Sequence, residues 1–153
     1  MRPAHPTSWR IVVRAFGTAV LLVGLWPLAG AAEGAIAVGL PRDVAEEGFA
    51  FGFAINEARV DAARAEALRS CKEESPGVDK RAQALCAVVQ SFRDQCFAVA
   101  MDPQDATPGV GWAVAADKAT ASRDALAKCV ETAGDGRRDA CEVSRAECDG
   151  SAK

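Results

Sequence analysis

Two short stretches of the chain alternate between bulky and small side chains. In residues 49–55, Phe49, Phe51, Phe53 and Ile55 face one way, and Ala50, Gly52 and Ala54 face the other. In residues 110–115, Val110, Trp112 and Val114 oppose Gly111, Ala113 and Ala115. A period of two predicts a strand in each. Short apolar runs at 35–39 and 97–101 predict a strand before each of these. A helix period follows both alternating stretches. Val60, Ala63, Ala67, Leu68 and Cys71 form one stripe, and Ala121, Ala125, Leu126 and Cys129 another. Asn56 and Asp117 are the candidate N-caps. Ser75-Pro76-Gly77 and Gly134-Asp135-Gly136 then break the chain, and strands resume near 86–92 and 141–147.

The pattern therefore runs through β-β-α-β twice. Shared fragments fit an internal repeat. Gly52-Phe53-Ala54-Ile55 matches Gly111-Trp112-Ala113-Val114, and Pro41-Arg42-Asp43 matches Pro103-Gln104-Asp105. Both helices end in Ala-Leu-x-x-Cys, at Cys71 and Cys129, and Cys86-Ala87-Val88 matches Cys141-Glu142-Val143. The units run roughly 34–95 and 96–150, with Arg93-Asp94-Gln95 as the joint. The expected fold is α+β: an antiparallel or mixed sheet with both helices on one face. The bulky strand residues Phe51, Phe53, Ile55, Trp112 and Val114 are expected beneath the small-residue helices. The Ala and Gly face is left for solvent or for a second copy, with a monomer favoured over a homodimer.

Residues 1–32 read differently. Arg2, Arg10 and Arg14 give a basic start, Ala15–Leu28 is apolar, and Ala29-Gly30-Ala31-Ala32 offers small residues for cleavage. This is the pattern of a secretory signal peptide, and the run is short for a membrane span. No Arg-Arg pair and no nearby cysteine marks twin-arginine export or a lipid anchor. The remaining 33–153 is expected to form one disulfide-rich domain outside the cytoplasm, periplasmic or extracellular, with no membrane span.

The division changes the charge. Of 18 basic residues, three arginines lie in the leader, leaving 15 against 21 acidic residues and a net of −6. An acid excess excludes a strongly basic nucleic-acid binder. The one histidine, His5, lies in the leader, and the chain has no tyrosine. Without histidine, the usual bases for Ser or Cys nucleophiles are missing. Ser70, Ser75, Ser91, Ser122 and Ser144 sit in no nucleophile elbow. Glu46-Glu47 and Glu73-Glu74 read as solvated acids rather than a glycosidase pair. Asp102–Asp105 and Asp135–Asp139 lack EF-hand spacing and read as turns, and Arg137-Arg138 is too small for a nucleic-acid patch. Arg59, Asp61, Arg64, Glu66 and Arg69 read as a mixed solvated helix face. Trp112 is either core, in phase with Phe53, or an exposed stacking platform. No phosphate-binding glycine loop occurs. The sequence points to no catalytic residue, no cofactor and no metal.

All six cysteines follow residue 70, at Cys71, Cys86, Cys96, Cys129, Cys141 and Cys148. An even count behind a signal peptide implies three disulfides. No C-x-x-C is present, which excludes thioredoxin-like, zinc-ribbon and c-type haem motifs. The repeat suggests the pairs Cys71–Cys86 and Cys129–Cys141, one per unit, with Cys96–Cys148 joining the units.

Gly34-Ala35-Ile36-Ala37, the two Ala-Leu-x-x-Cys helix ends and Cys86-Ala87-Val88-Val89 through Phe92 to Cys96-Phe97-Ala98-Val99-Ala100 resemble a bacterial family called domain of unknown function 4189. Gly111-Trp112-Ala113 and the Cys141-x-Val143 to Cys148 ending fit as well. The resemblance implies a small exported protein and brings no catalytic residues with it. The chain departs from the pattern at its charged Lys72–Leu85 connection and its Asp135–Asp139 loop. The expected function is a non-enzymatic binding module with an envelope or extracellular protein as partner. The alternatives are an inhibitor of an exported enzyme and a carboxylate-dependent hydrolase of envelope glycans.

Overall fold

The computed structural model describes residues 32–73, 78–104 and 106–153. The predicted signal peptide and its cleavage site therefore lie outside the described residues, save Ala32, as do Glu74, Ser75 and Asp105. Strand β1 (Glu33–Gly39) leads through helix α1 (Val44–Glu47) to β2 (Ala50–Glu57). Helices α2 (Val60–Glu73) and α3 (Lys80–Ala84) precede β3 (Ala87–Arg93). The second unit repeats the order with β4 (Cys96–Met101), β5 (Val110–Ala115), α4 (Lys118–Thr132), a 3-10 turn (Arg138–Ala140) and β6 (Glu142–Cys148).

The α+β class with two β-β-α-β units is the observed one. The strands form two three-stranded antiparallel sheets, ordered β2-β1-β3 and β5-β4-β6, rather than a single sheet. The joint Asp94-Gln95 carries the chain from one sheet to the other. The registers correspond closely. Ala37 pairs with Gly52 and Val88, and Ala100 pairs with Gly111 and Val143. Each central strand meets an irregularity at the same place, between Ile36 and Ala37 and between Val99 and Ala100.

The helices lie on opposite outer faces, and the sheets pack against each other between them. Helix α2 covers the first sheet through Ala63, Ala67 and Cys71 against Ala35, Ala37, Ala50 and Ala54. Helix α4 covers the second through Ala121, Ala125 and Cys129 against Cys96, Ala98, Ala100 and Ala113. The bulky residues fill the layer between the sheets: Ile36, Val38, Phe92, Phe97 and Val99, flanked by Phe49, Phe51, Phe53, Ile55, Trp112 and Val114. This corrects the expected packing. The small faces take the helices, and the large faces take the other sheet.

Gly52 and Gly111 show the reason. A Cβ at Gly52 would collide with the backbone of Cys71 and Ala67, and one at Gly111 with that of Ala125 and Cys129. Alanine against alanine and glycine lets helix and strand backbones approach closely. Facing sheets stand about 10 Å apart, and that gap needs large side chains to reach native density. Phe97 stands at the centre of the layer, with its ring centroid 4.7 Å from Phe53, 6.1 Å from Phe51 and 6.2 Å from Phe92. Such pairs contribute about 0.5–1.5 kcal/mol each beyond simple burial.

Three disulfides close the fold. Cys71–Cys86 and Cys129–Cys141 tie each long helix to the residue that opens the next strand, both with Cα atoms 6.0 Å apart. Cys96–Cys148 lies inside the second sheet between paired positions of β4 and β6, so it does not join the units.

The joining is done by Asp149. Its fully buried carboxylate accepts from the backbone N–H of Asn56 at 2.6 Å and of Asp94 at 3.3 Å. Its own N–H donates to the Gln95 carbonyl at 2.8 Å. Asn56 is therefore no helix cap. It stands at φ 60°, and its Oδ1 accepts from the Gly150 N–H at 3.0 Å. Asp117 does cap α4, accepting from the Thr120 N–H and hydroxyl at 2.8 and 2.9 Å. These bonds hold the Asp117 carboxyl below its ordinary range.

Candidate functional site

The ends of β2, β3 and β6 meet at the Asp149 knot. At the opposite end, the β1–β2 and β4–β5 connections occupy equivalent places in the two units. Between them lies an open groove of about 860 Å³. Its apolar surface includes Val44, Phe49, Val78, Met101 and Pro103, and its rim carries Glu46, Glu47, Asp79 and Asp102.

Each wall is fixed by local bonds. Asp43 caps α1 by accepting from the Glu46 N–H at 3.1 Å. Gly48 then reverses the chain at φ 69°, a left-handed conformation that glycine adopts without a Cβ penalty. On the other wall, Asp102 is buried and accepts twice from Arg137, at 2.7 Å from Nε and 2.6 Å from Nη2. It also accepts from the Gln104 N–H at 3.0 Å. The Thr107 hydroxyl donates to the Gln104 carbonyl at 2.7 Å, which closes the turn. Arg137 holds the Asp102 carboxyl below the usual carboxylate range, with the Gln104 N–H adding to the effect. Arg137 is raised in turn, chiefly by its hydrogen bonds to Asp102.

The chemistry of the groove follows. Glu47 and Asp79 each lie 3.6 Å from the Arg81 guanidinium. Asp102, bonded twice to a guanidinium, stays ionised and cannot supply the protonated acid of a glycosidase pair. Among the described residues, no group of His, Cys, Asp or Glu is placed to hold a metal ion. The site is therefore an open groove lined by both acidic and apolar side chains.

Other candidates are dispersed. Arg69 pairs with Glu66 at 2.5 Å and with Glu73 at 2.9 Å on the exposed face of α2. Arg69 draws the Glu66 carboxyl below its usual range. Ser144 donates to the Val99 carbonyl at 3.3 Å. Ser70 is buried and Ser91 exposed, at separate places in the fold. Trp112 is half-buried at the edge of the inter-sheet layer, not beneath a helix. Sequence reasoning treated Asp102 and Arg137 as unrelated turn residues. The signal for the groove was the matched Pro-x-Asp turns at Pro41 and Pro103, which place corresponding loops in both units.

These features define a disulfide-stapled α/β/β/α sandwich with a groove at one end. The chain belongs to the family described as Domain of unknown function (DUF4189), whose model matches residues 34–148. No curated protein and no solved structure matches it.

Proposed function

We propose that this is an exported, non-enzymatic binding module that holds an envelope or extracellular protein in the groove between α1 and the β4–β5 connection. The observation that carries the reading is the groove itself. Equivalent loops from two units form its walls, and the disulfides together with the bidentate Arg137–Asp102 pair limit the ordering cost of binding. In this reading residues 1–32 are a cleaved leader, 33–153 is one domain that arose by internal repeat, and the three disulfides reflect an oxidising compartment. No helix among the described residues is long and apolar enough to cross a membrane. The working form is a monomer, without nucleic acid or cofactor. Inhibition of an exported enzyme is the same contact with an enzyme as partner.

One observation favours a hydrolase as the second reading: four acidic residues line the groove. The test captures partners from an envelope extract with the oxidised protein. A matching capture uses Phe49→Ala/Met101→Ala, which removes the apolar floor. The binding reading expects a partner retained by the native protein and lost by the variant. Turnover of envelope glycan with no captured partner overturns it.

A further inference from the structure

Ile36 and Val99 hold equivalent places in the central strands. Ile36 is flanked by Phe53 and Gln90, and Val99 by Trp112 and Arg145. The two rows face each other across the buried layer, where Ile36, Val99, Phe53 and Trp112 all pack. At one end of the facing rows, the Arg145 guanidinium lies over the Phe53 ring, 4.6 Å from its centroid. In the corresponding registers, Trp112 takes the place of Phe53 and Gln90 the place of Arg145.

The two ends differ in what covers the ring. Phe53 has Phe51 and Phe97 beside it and Arg145 above it, and Arg145 is held by Glu147 at 2.7 Å. Among the described residues, the Lys128 ammonium donates to the Trp112 backbone carbonyl at 2.9 Å, but neither an aromatic ring nor a cation is stacked on the half-buried indole ring itself. Gln90 is exposed, and its side-chain amide has no hydrogen-bond partner among them.

We infer that Trp112 and Gln90 form a receptor for a guanidinium, supplied by an arginine of a partner protein. The molecule's own second half supplies the template, because the equivalent ring carries an arginine. Tryptophan is the stronger acceptor of the two ring types for a cation. The Gln90 Oε1 can accept a guanidinium N–H, and a planar guanidinium adds face-to-face stacking to its cation–π attraction for an indole. The net of −6 over residues 33–153 favours a cationic visitor. This inference stands apart from the groove, which neither residue lines.

The test uses the oxidised full chain and the indole N–H signal of Trp112, assigned by its loss in Trp112→Phe. The probe is the peptide acetyl-Gly-Arg-Gly-amide, with acetyl-Gly-Gln-Gly-amide and methyl glucoside as comparisons. The arginine peptide is expected to move the Trp112 signal saturably, and the comparisons to leave it in place. Gln90→Arg places the chain's own guanidinium on the indole, so it should weaken peptide binding by roughly tenfold or more. A shift with the glucoside instead would make Trp112 a sugar platform and overturn the inference. So would no shift with the arginine peptide, or unchanged binding in Gln90→Arg.

Discussion

Glu33 and Arg93 stand in the first sheet where Cys96 and Cys148 stand in the second. Each pair joins the start of the central strand to the end of its neighbour in the same register. One unit closes this corner with an ion pair between Arg93 and the Glu33 carboxylate, the other with a covalent bond. Glu33 in turn raises the Arg93 pKa, mainly through the hydrogen bonds between them.

The equivalence predicts that the corner accepts a fourth disulfide. Glu33→Cys/Arg93→Cys should oxidise spontaneously on export-like refolding. Closing that long loop should stabilise the fold by about 2–4 kcal/mol through loss of chain entropy. Intact mass under non-reducing conditions reads the bond, and the urea midpoint reads the gain.

Asp149 should prove the most sensitive acid in the chain. Asp149→Ala leaves the Asn56 and Asp94 N–H groups without their acceptor. Two part-buried donors left without an acceptor cost about 1–3 kcal/mol together. Asp149→Asn keeps one carbonyl oxygen and should cost about half as much. Urea unfolding of both variants measures the difference, and equal losses would contradict this account.

The strand glycines should tolerate no side chain. Gly52→Ala and Gly111→Ala each drive a Cβ into helix backbone, which cannot rotate away. Overpacking of this kind costs about 1–3 kcal/mol or more. Gly134 and Gly136 have open space around the added atom, so alanine there carries only the strain of positive φ, about 1 kcal/mol. Thermal melts of the four variants should separate into two groups.

The Asp102–Arg137 pair predicts an acid limb in stability. The folded carboxyl is held below its unfolded value, so its contribution is complete above the unfolded carboxylate pKa of about 3.9. It is lost as pH falls through the lower folded value. Arg137→Ala removes the principal cause, so it should lower stability at neutral pH and flatten the fall below about pH 4. Urea midpoints between about pH 6 and pH 2 test the sign.

Much of the fold was legible in the residues, for identifiable reasons. Period-two alternation at Phe49–Ile55 and Val110–Ala115 located β2 and β5, and helical stripes ending in Cys71 and Cys129 located α2 and α4. The Asp117 cap was legible because its acceptor lies within one turn. Asn56 was misread because its partners, Asp149 and Gly150, lie far along the chain. Alternation showed that each strand has a bulky and a small face, but not which face meets the helix. Gly52 and Gly111 decide that through close backbone approach. Helices α1 and α3 are too short to show a period, and α3 sits within a stretch read as a charged connection. The groove was the least legible part, because its walls come from two units and its fixed carboxylate depends on Arg137, thirty-five residues away from Asp102.

The knot at Asp149 and the groove lie at opposite ends of the strands. A relative motion of the two sheets that keeps these bonds would pivot where Asn56, Asp94 and Asp149 are bonded together. Displacement then grows along β2 and β4, a lever of about 20 Å at 3.3 Å per residue. The span between Phe49 and Met101 lies at the end of that lever farthest from the Asp149 bonds. A visitor gripping both loops would clamp the two halves at the point where the least force is needed.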